Sequence, residues 1–216
     1  MFMREIKFYF TTGLIGLVVY GLCYGYLKWL AIPGEMNKAA ADTAILLMAF
    51  SMLQSSLSYF FNFMDRAIIY RKYFGLTGFA FAIAHLILSW GAFMGLFSVR
   101  TWMQGEMLPV LTGTLAFFIF TIMALISNTF STRMLGSEAW RRVLRTGYLA
   151  VVFVLAHVIL LKYGRWATWY EAGMKTAPSL SLISAFFMVV VLSMRLLMWA
   201  SLRKKTAVVL KKTNRR

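Results

Sequence analysis

Six apolar runs divide the chain, at about residues 8–32, 39–64, 73–98, 107–127, 147–163 and 178–202. They approach or exceed the roughly 20 residues that a helix needs to cross a bilayer, the fifth being the shortest. A closed β-barrel would need alternating segments of about 10 residues instead, so the runs predict an all-α integral membrane protein, a six-helix transmembrane bundle. The composition agrees: 61% of the residues are hydrophobic, against about half in a soluble domain. The first run follows Arg4 and Lys7 as a secretory signal would, but it is longer than the roughly 7 to 15 apolar residues of a signal core and reads as an uncleaved span. No stretch between the runs could hold a nucleotide-binding or other soluble domain. Residues 1–216 therefore read as a single transmembrane domain, and any catalytic partner as a separate chain.

A formal net charge of +16 would suggest nucleic acid binding in a soluble protein, yet here the placement of the charges explains it. Sixteen basic residues fall in the N-terminal tail (Arg4, Lys7), the second loop (Arg66, Arg71, Lys72), the fourth loop (Arg133, Arg141, Arg142, Arg145) and a basic tail over about 203–216. Six fall on the opposite side, at Lys28, Lys38, Arg100, Lys162, Arg165 and Lys175, diluted by Glu35, Asp42, Glu106 and Glu171. The positive-inside bias puts both termini in the cytoplasm and the tail against anionic headgroups. The partner implied by the charge is membrane lipid, not nucleic acid. Cys23 stands alone and cannot form an intrachain disulfide.

The chain has two histidines, His85 in the third run and His157 in the fifth, and both runs lead outward in this topology. They lie 12 and 10 residues into their runs, so a rise of about 1.5 Å per residue leaves them only a few ångströms apart in depth. An imidazole inside lipid is costly without a partner, and haem iron suits the neutral ring. One iron between the two helices could take both rings as axial ligands, as in a low-spin b-type haem. Gly78, Ala82, His85, Ser89 and Ala92 recur at intervals of 4 and 3 residues and share a helix face. That small-sided stripe suits a flat macrocycle, although the same spacing also lets two helices pack closely with no ligand. The matching face of the fifth run is Gly147, Ala150, Val154, His157, Leu161 and Gly164. The candidate site is thus His85 and His157 as metal ligands, with Gly78, Ala82 and Ser89 lining a cofactor groove.

Two blocks in the middle of the chain carry a resemblance. Arg71-Lys72-Tyr73-Phe74-Gly75-Leu76 leads to His85, while Ser127, Leu135-Gly136, Trp140, Arg145 and Tyr148-Leu149-Ala150 lead to His157. With these blocks, the region of about 66–163 resembles the ferric reductase-like transmembrane domain. The match is to its small bacterial form, the haem-binding membrane subunit of a periplasmic methionine sulfoxide reductase. The resemblance implies haem b, a quinol or flavin donor, an outward-facing acceptor such as a periplasmic reductase, and a multi-pass place in the bacterial inner membrane. The family usually has a further His 13 residues ahead of the second ligand, where this chain has Leu144; the position 13 residues ahead of His85 is Lys72. Thirteen residues span about 20 Å of helix, and larger relatives use such paired positions to stack two haems. With one ligand level left, a single haem is expected, and FMN or a quinone remains an additional candidate cofactor.

Other residues admit two readings each. Arg195, inside the sixth run, either snorkels to the headgroups or partners an anion such as a haem propionate or a quinone or flavin headgroup. Arg100 and Arg165, beside Trp102 and Trp166, are interfacial anchors or alternative propionate partners. Gln54, Ser55 and Ser56 could hydrogen-bond a quinone or simply join helices. There is no P-loop, dinucleotide fingerprint or metal-ligand cluster. The leading reading is a membrane cytochrome b, an electron-transfer subunit of an oxidoreductase system. The alternatives are a direct reductase of ferric iron or another extracellular oxidant, and a haem-free scaffold or transporter whose histidines bridge helices.

Overall fold

The computed structural model describes residues 2–94 and 107–213. Among them every regular element is helical: α1 (Phe2–Trp29), α2 (Glu35–Phe60), α3 (Arg71–Leu88), the short α4 (Trp90–Met94), α5 (Met107–Ile126), α6 (Thr129–Arg145), α7 (Gly147–Glu171) and α8 (Leu180–Thr213). Two 3-10 turns, Asn62–Met64 and Ala67–Tyr70, join α2 to α3. By length and composition, five helical stretches are sufficient to cross a membrane: those of α1, α2, α5, α8 and the continuous α6–α7 stretch.

The third expected span differs from the other five. Its helix has 18 residues, opens on the Arg71-Lys72 pair and ends at Leu88. There the Ser89 amide bonds back to the carbonyls of His85 and Leu86, at 2.9 and 3.1 Å, tightening the last turn. The end of the expected run, 95–98, lies outside the described residues. The fifth expected span, in contrast, is longer than its apolar run: α7 continues past residue 163 to Glu171. Lys162 and Arg165 interrupt a hydropathy pattern, but both are good helix formers and do not stop a helix.

α2 is the hub. Of its spanning window 61% is buried, against 11–28% in the other four stretches. It packs on α1, α3 and α8, while α5 packs on α7. Ala44, Met48 and Met52 of α2 meet Phe120, Ala150, Val158 and Met188 in the main apolar cluster. The outward faces stay apolar, with Phe10, Leu22, Leu125, Phe186 and Leu196 exposed; such a surface aggregates in water and is at home in lipid. Polar bonds cross the bundle at three levels: Ser184 Oγ donates to Asp42 Oδ1 at 2.7 Å, Tyr59 and Ser201 share a hydrogen bond of 3.0 Å, and Thr77 Oγ1 donates to Thr12 Oγ1 at 3.1 Å.

α6 lies apart from this core, with no residue buried. Asn128 caps it by accepting from the Ser131 amide at 2.8 Å. It bends at Gly136, whose φ of 73° and ψ of 155° interrupt the helix in a region that side chains disfavour. Trp140 Nε1 donates to the Ile126 carbonyl at 3.0 Å, satisfying an orphan acceptor at the end of α5. The Leu-Gly and Trp of the second sequence block therefore set how α5 turns into α7.

Candidate functional site

Helices α2, α3, α5 and α7 surround a cavity of about 350 Å³, and both histidines line it, His85 from α3 and His157 from α7. Its volume lies within the range of small-molecule sites, roughly 300 to 1,000 Å³. Ala82 and Ser89 line it too. Gly78, expected in the groove, does not line it. A Cβ at Gly78 would stand 2.7 Å from Met48 Cγ and 3.0 Å from the Met48 amide nitrogen, so this glycine is where the α3 backbone abuts α2. The small-residue stripe divides because α2 covers its first member; the side chain of Ala92, its last, lies outside those described.

Each imidazole is held by its Nδ1. His85 Nδ1 is 2.6 Å from Asn37 Oδ1, and the Asn37 amide is oriented by its own Nδ2 donating to Ser89 Oγ at 2.9 Å. His157 Nδ1 is 2.6 Å from the carbonyl oxygen of Pro109. Both partners are acceptors in these contacts, so both Nδ1 atoms carry the hydrogen, and in the neutral ring Nε2 keeps its lone pair. That is the tautomer of a metal-ligating histidine, whose other ring nitrogen donates to an oxygen acceptor. Ser89 thus acts through Asn37. For a haem held by these rings, Asn37→Leu should weaken binding by about 10- to 100-fold, while Asn37→Asp, which keeps an acceptor, should largely preserve it; haem titration of the protein reads both.

Gly113 of α5 completes the pocket. A Cβ there would lie 2.8 Å from His157 Nδ1, 3.0 Å from Cε1 and 3.3 Å from Cγ, so the ring reaches the Pro109 carbonyl only because residue 113 has no side chain. Among the described residues, no three His, Cys, Asp or Glu side chains gather to hold a metal ion. Two imidazoles alone suit an axial pair whose remaining positions come from a macrocycle.

Asn37, Pro109 and Gly113 escaped the reading of the sequence, although a signal for them exists. Each histidine and its Nδ1 partner are 48 residues apart. The two hairpins, α2–α3 and α5–α7, are related by a shift of 72 residues that superposes His85 on His157, Asn37 on Pro109, Ala41 on Gly113 and Met48 on Phe120. The second helix of each carries Gly-x5-Phe-x2-Ala-His-x-Ile-Leu, from Gly75 to Leu88 and from Gly147 to Leu160. The shift also pairs Lys72 with Leu144, the two positions where the sequence lacks a further histidine.

Those two residues line a second cavity, of about 570 Å³, with Arg71, Arg133 and Trp140. Met48 and Phe120 line both cavities and form the wall between them. Arg195 lines neither; its guanidinium lies 4.7 Å over the Tyr148 ring, and the Tyr148 hydroxyl is 3.4 Å from Ser55 Oγ. Gln54 and Ser56 are buried, line neither cavity, and have no partner for the Gln54 amide atoms or Ser56 Oγ among the described residues. Arg165 is at the mouth of the histidine cavity, beside Trp166, which donates to Ser179 Oγ at 3.0 Å. Arg100 and Trp102 lie outside the described residues.

No family model matches the chain. It is similar to the protein-methionine-sulfoxide reductase heme-binding subunit MsrQ of Agrobacterium fabrum, with 27% identity over 172 residues that cover 72% of this chain and 76% of the relative. Among its described residues the chain is thus all-helical, with five helical stretches long and apolar enough to span a membrane, and it is similar over most of its length to a haem-binding subunit.

Proposed function

We propose that the chain is a six-pass cytochrome b of the bacterial inner membrane, with both termini cytoplasmic. It carries electrons through one haem b, ligated by His85 and His157, from a quinol or flavin donor to an outward-facing acceptor such as a periplasmic reductase. The observation that carries this reading is the pair of imidazoles lining one cavity, each with Nδ1 committed to an oxygen acceptor. The similarity to a haem-binding subunit of a methionine sulfoxide reductase supports the cofactor and the class of acceptor.

A haem held by His85 and His157 would supply one-electron chemistry. The rest falls to the chain. Asn37 and the Pro109 carbonyl fix the ring planes and tautomers, Gly113 gives His157 its reach, and Val154, Val158 and Phe117 keep the cavity apolar. On the cytoplasmic side, Arg71, Lys72 and Arg133 make the second cavity electropositive, as suits the phosphate of FMN or the headgroup of a quinol. A donor seated there is separated from the histidine cavity by the Met48 and Phe120 side chains, and needs no inner histidine.

The visible spectrum of the purified protein tests this. Expressed with haem precursor and reduced with dithionite, it should show sharp low-spin b-type bands and about one haem per chain by pyridine haemochromogen assay. A helical but colourless protein under those conditions rules the reading out and leaves the histidines as bridges between helices.

A further inference from the structure

The histidine cavity has an uneven charge that its ligands do not use. Lys38, Lys162 and Arg165 all line it, and they lie within electrostatic range of one another. Among the described residues none of them has a carboxylate at ion-pair distance, the one such pair being Arg142 with Glu138 on α6. Lys38 Nζ donates to the Pro33 carbonyl. The acid on the cavity wall, Asp42, is buried and accepts from Ser184. Among the lining residues, three cations against one carboxylate leave a twofold positive excess in a largely apolar pocket, with Glu35, outside the lining, in electrostatic range of Lys38.

The 72-residue repeat gives that excess a direction. Its two hairpins present equivalent histidines to one cavity, and equivalent units can face each other only through a rotation about an axis between them. Because each hairpin runs down on its first helix and back on its second, that axis is parallel to the helices. A flat group held by both histidines would therefore present its edges to the two ends of the bundle. The cations break the repeat: Lys38 pairs with Val110 and Lys162 with Trp90. All three lie at one end, Lys162 and Arg165 being 5 and 8 residues beyond His157 on α7, or about 7 and 12 Å along it.

Resting on the haem reading above, we propose that Lys38, Lys162 and Arg165 form a seat for the two haem propionates. These residues would hold the carboxylate edge of the group at the end of the bundle that carries Glu35 and Glu171. The ligand chemistry is that of a dianionic edge on a planar apolar body, and the two propionates match the excess charge. Lys38 also adjoins Asn37, so the helix turn that orients the His85 ring supplies one of the cations.

Transfer of haem from the loaded protein in detergent to excess apomyoglobin tests the seat, with wild type and Lys162→Gln/Arg165→Gln compared using haem b and its dimethyl ester, which lacks both carboxylates. Haem b should leave the double variant at least tenfold faster than wild type, and its midpoint potential should fall because cationic charge that favours the ferrous state is gone. The dimethyl ester should leave both proteins at the same rate, as in a double-mutant cycle whose interaction has been removed from one side. Equal rates and potentials for haem b in both proteins overturn the seat and leave the cations as headgroup anchors, with the haem reading standing. An ester that still distinguishes the two proteins also overturns it. A wild type that takes up no haem overturns both readings together.

Discussion

Replacing His157 with alanine is expected to abolish the low-spin b-type spectrum, and replacing His85 is expected to do so to the same extent. The equality follows from the repeat, since each ring comes from the same position of its hairpin and leans on an acceptor at the same sequence distance. With one imidazole gone, the iron of any retained haem is five-coordinate, and its bands broaden and shift to those of a high-spin centre. Imidazole added to the buffer should restore the low-spin bands in part, because the alanine leaves room for it. The competing view, in which both histidines only bridge helices, predicts a different quantity. Each substitution would remove one interhelical hydrogen bond worth about 0.6 kcal/mol, with no change of colour. Absorption spectra and elution in detergent, measured on both variants, separate the two views. Unchanged bands in both variants would overturn the ligand assignment.

The parts of this molecule that were legible in the sequence are those that depend on the local pattern. The apolar runs located α5 to within a residue, α2 to within four and α1 to within six, because a helix in lipid must satisfy its own backbone over a fixed length, while α8 starts close to its run but continues past residue 202 to Thr213. Hydropathy failed at Ser89 and after Tyr163, since a helix is ended by backbone satisfaction and tertiary bonds and not by polarity. The small-residue stripe on α3 was real as a face, but only α2 decides that Gly78 serves packing while Ala82 faces the cavity. Asn37 and Pro109 sit 48 residues from the rings that they hold, beyond the reach of any helical periodicity. The repeat that ties them together is written in the chain, yet six shared positions among apolar helices gain meaning only when two of them are seen facing one cavity. The same shift pairs Lys72 with Leu144, and both line the second cavity, whose walls are made by packing and not by histidines.

Gly113→Ala is the sharpest single test of the pocket, because two effects of opposite sign meet in it. α5 is helical throughout, so alanine should stabilise the helix itself by about 0.8 to 1 kcal/mol. The new methyl would lie 2.8 Å from His157 Nδ1 and 3.0 Å from Cε1, and the ring cannot yield without lengthening the 2.6 Å bond to Pro109. Overpacking of this kind costs about 1 to 3 kcal/mol, which in haem affinity corresponds to roughly a 5- to 150-fold loss. The expected result is therefore a protein whose apo form melts at or slightly below the wild-type temperature and whose haem binding is weaker. The other hairpin shows how to repair it. Ala41 occupies the matching position and is tolerated because His85 reaches for the Asn37 side chain, which extends farther from the helix axis than the Pro109 carbonyl. Pro109→Asn added to Gly113→Ala would give His157 the same longer arm, and should recover at least tenfold of the lost affinity. A first-turn proline gives up no helix hydrogen bond when replaced, so the double variant carries little other penalty. Wild-type haem affinity in Gly113→Ala alone would show that the close approach of His157 to α5 does not hold the ligand.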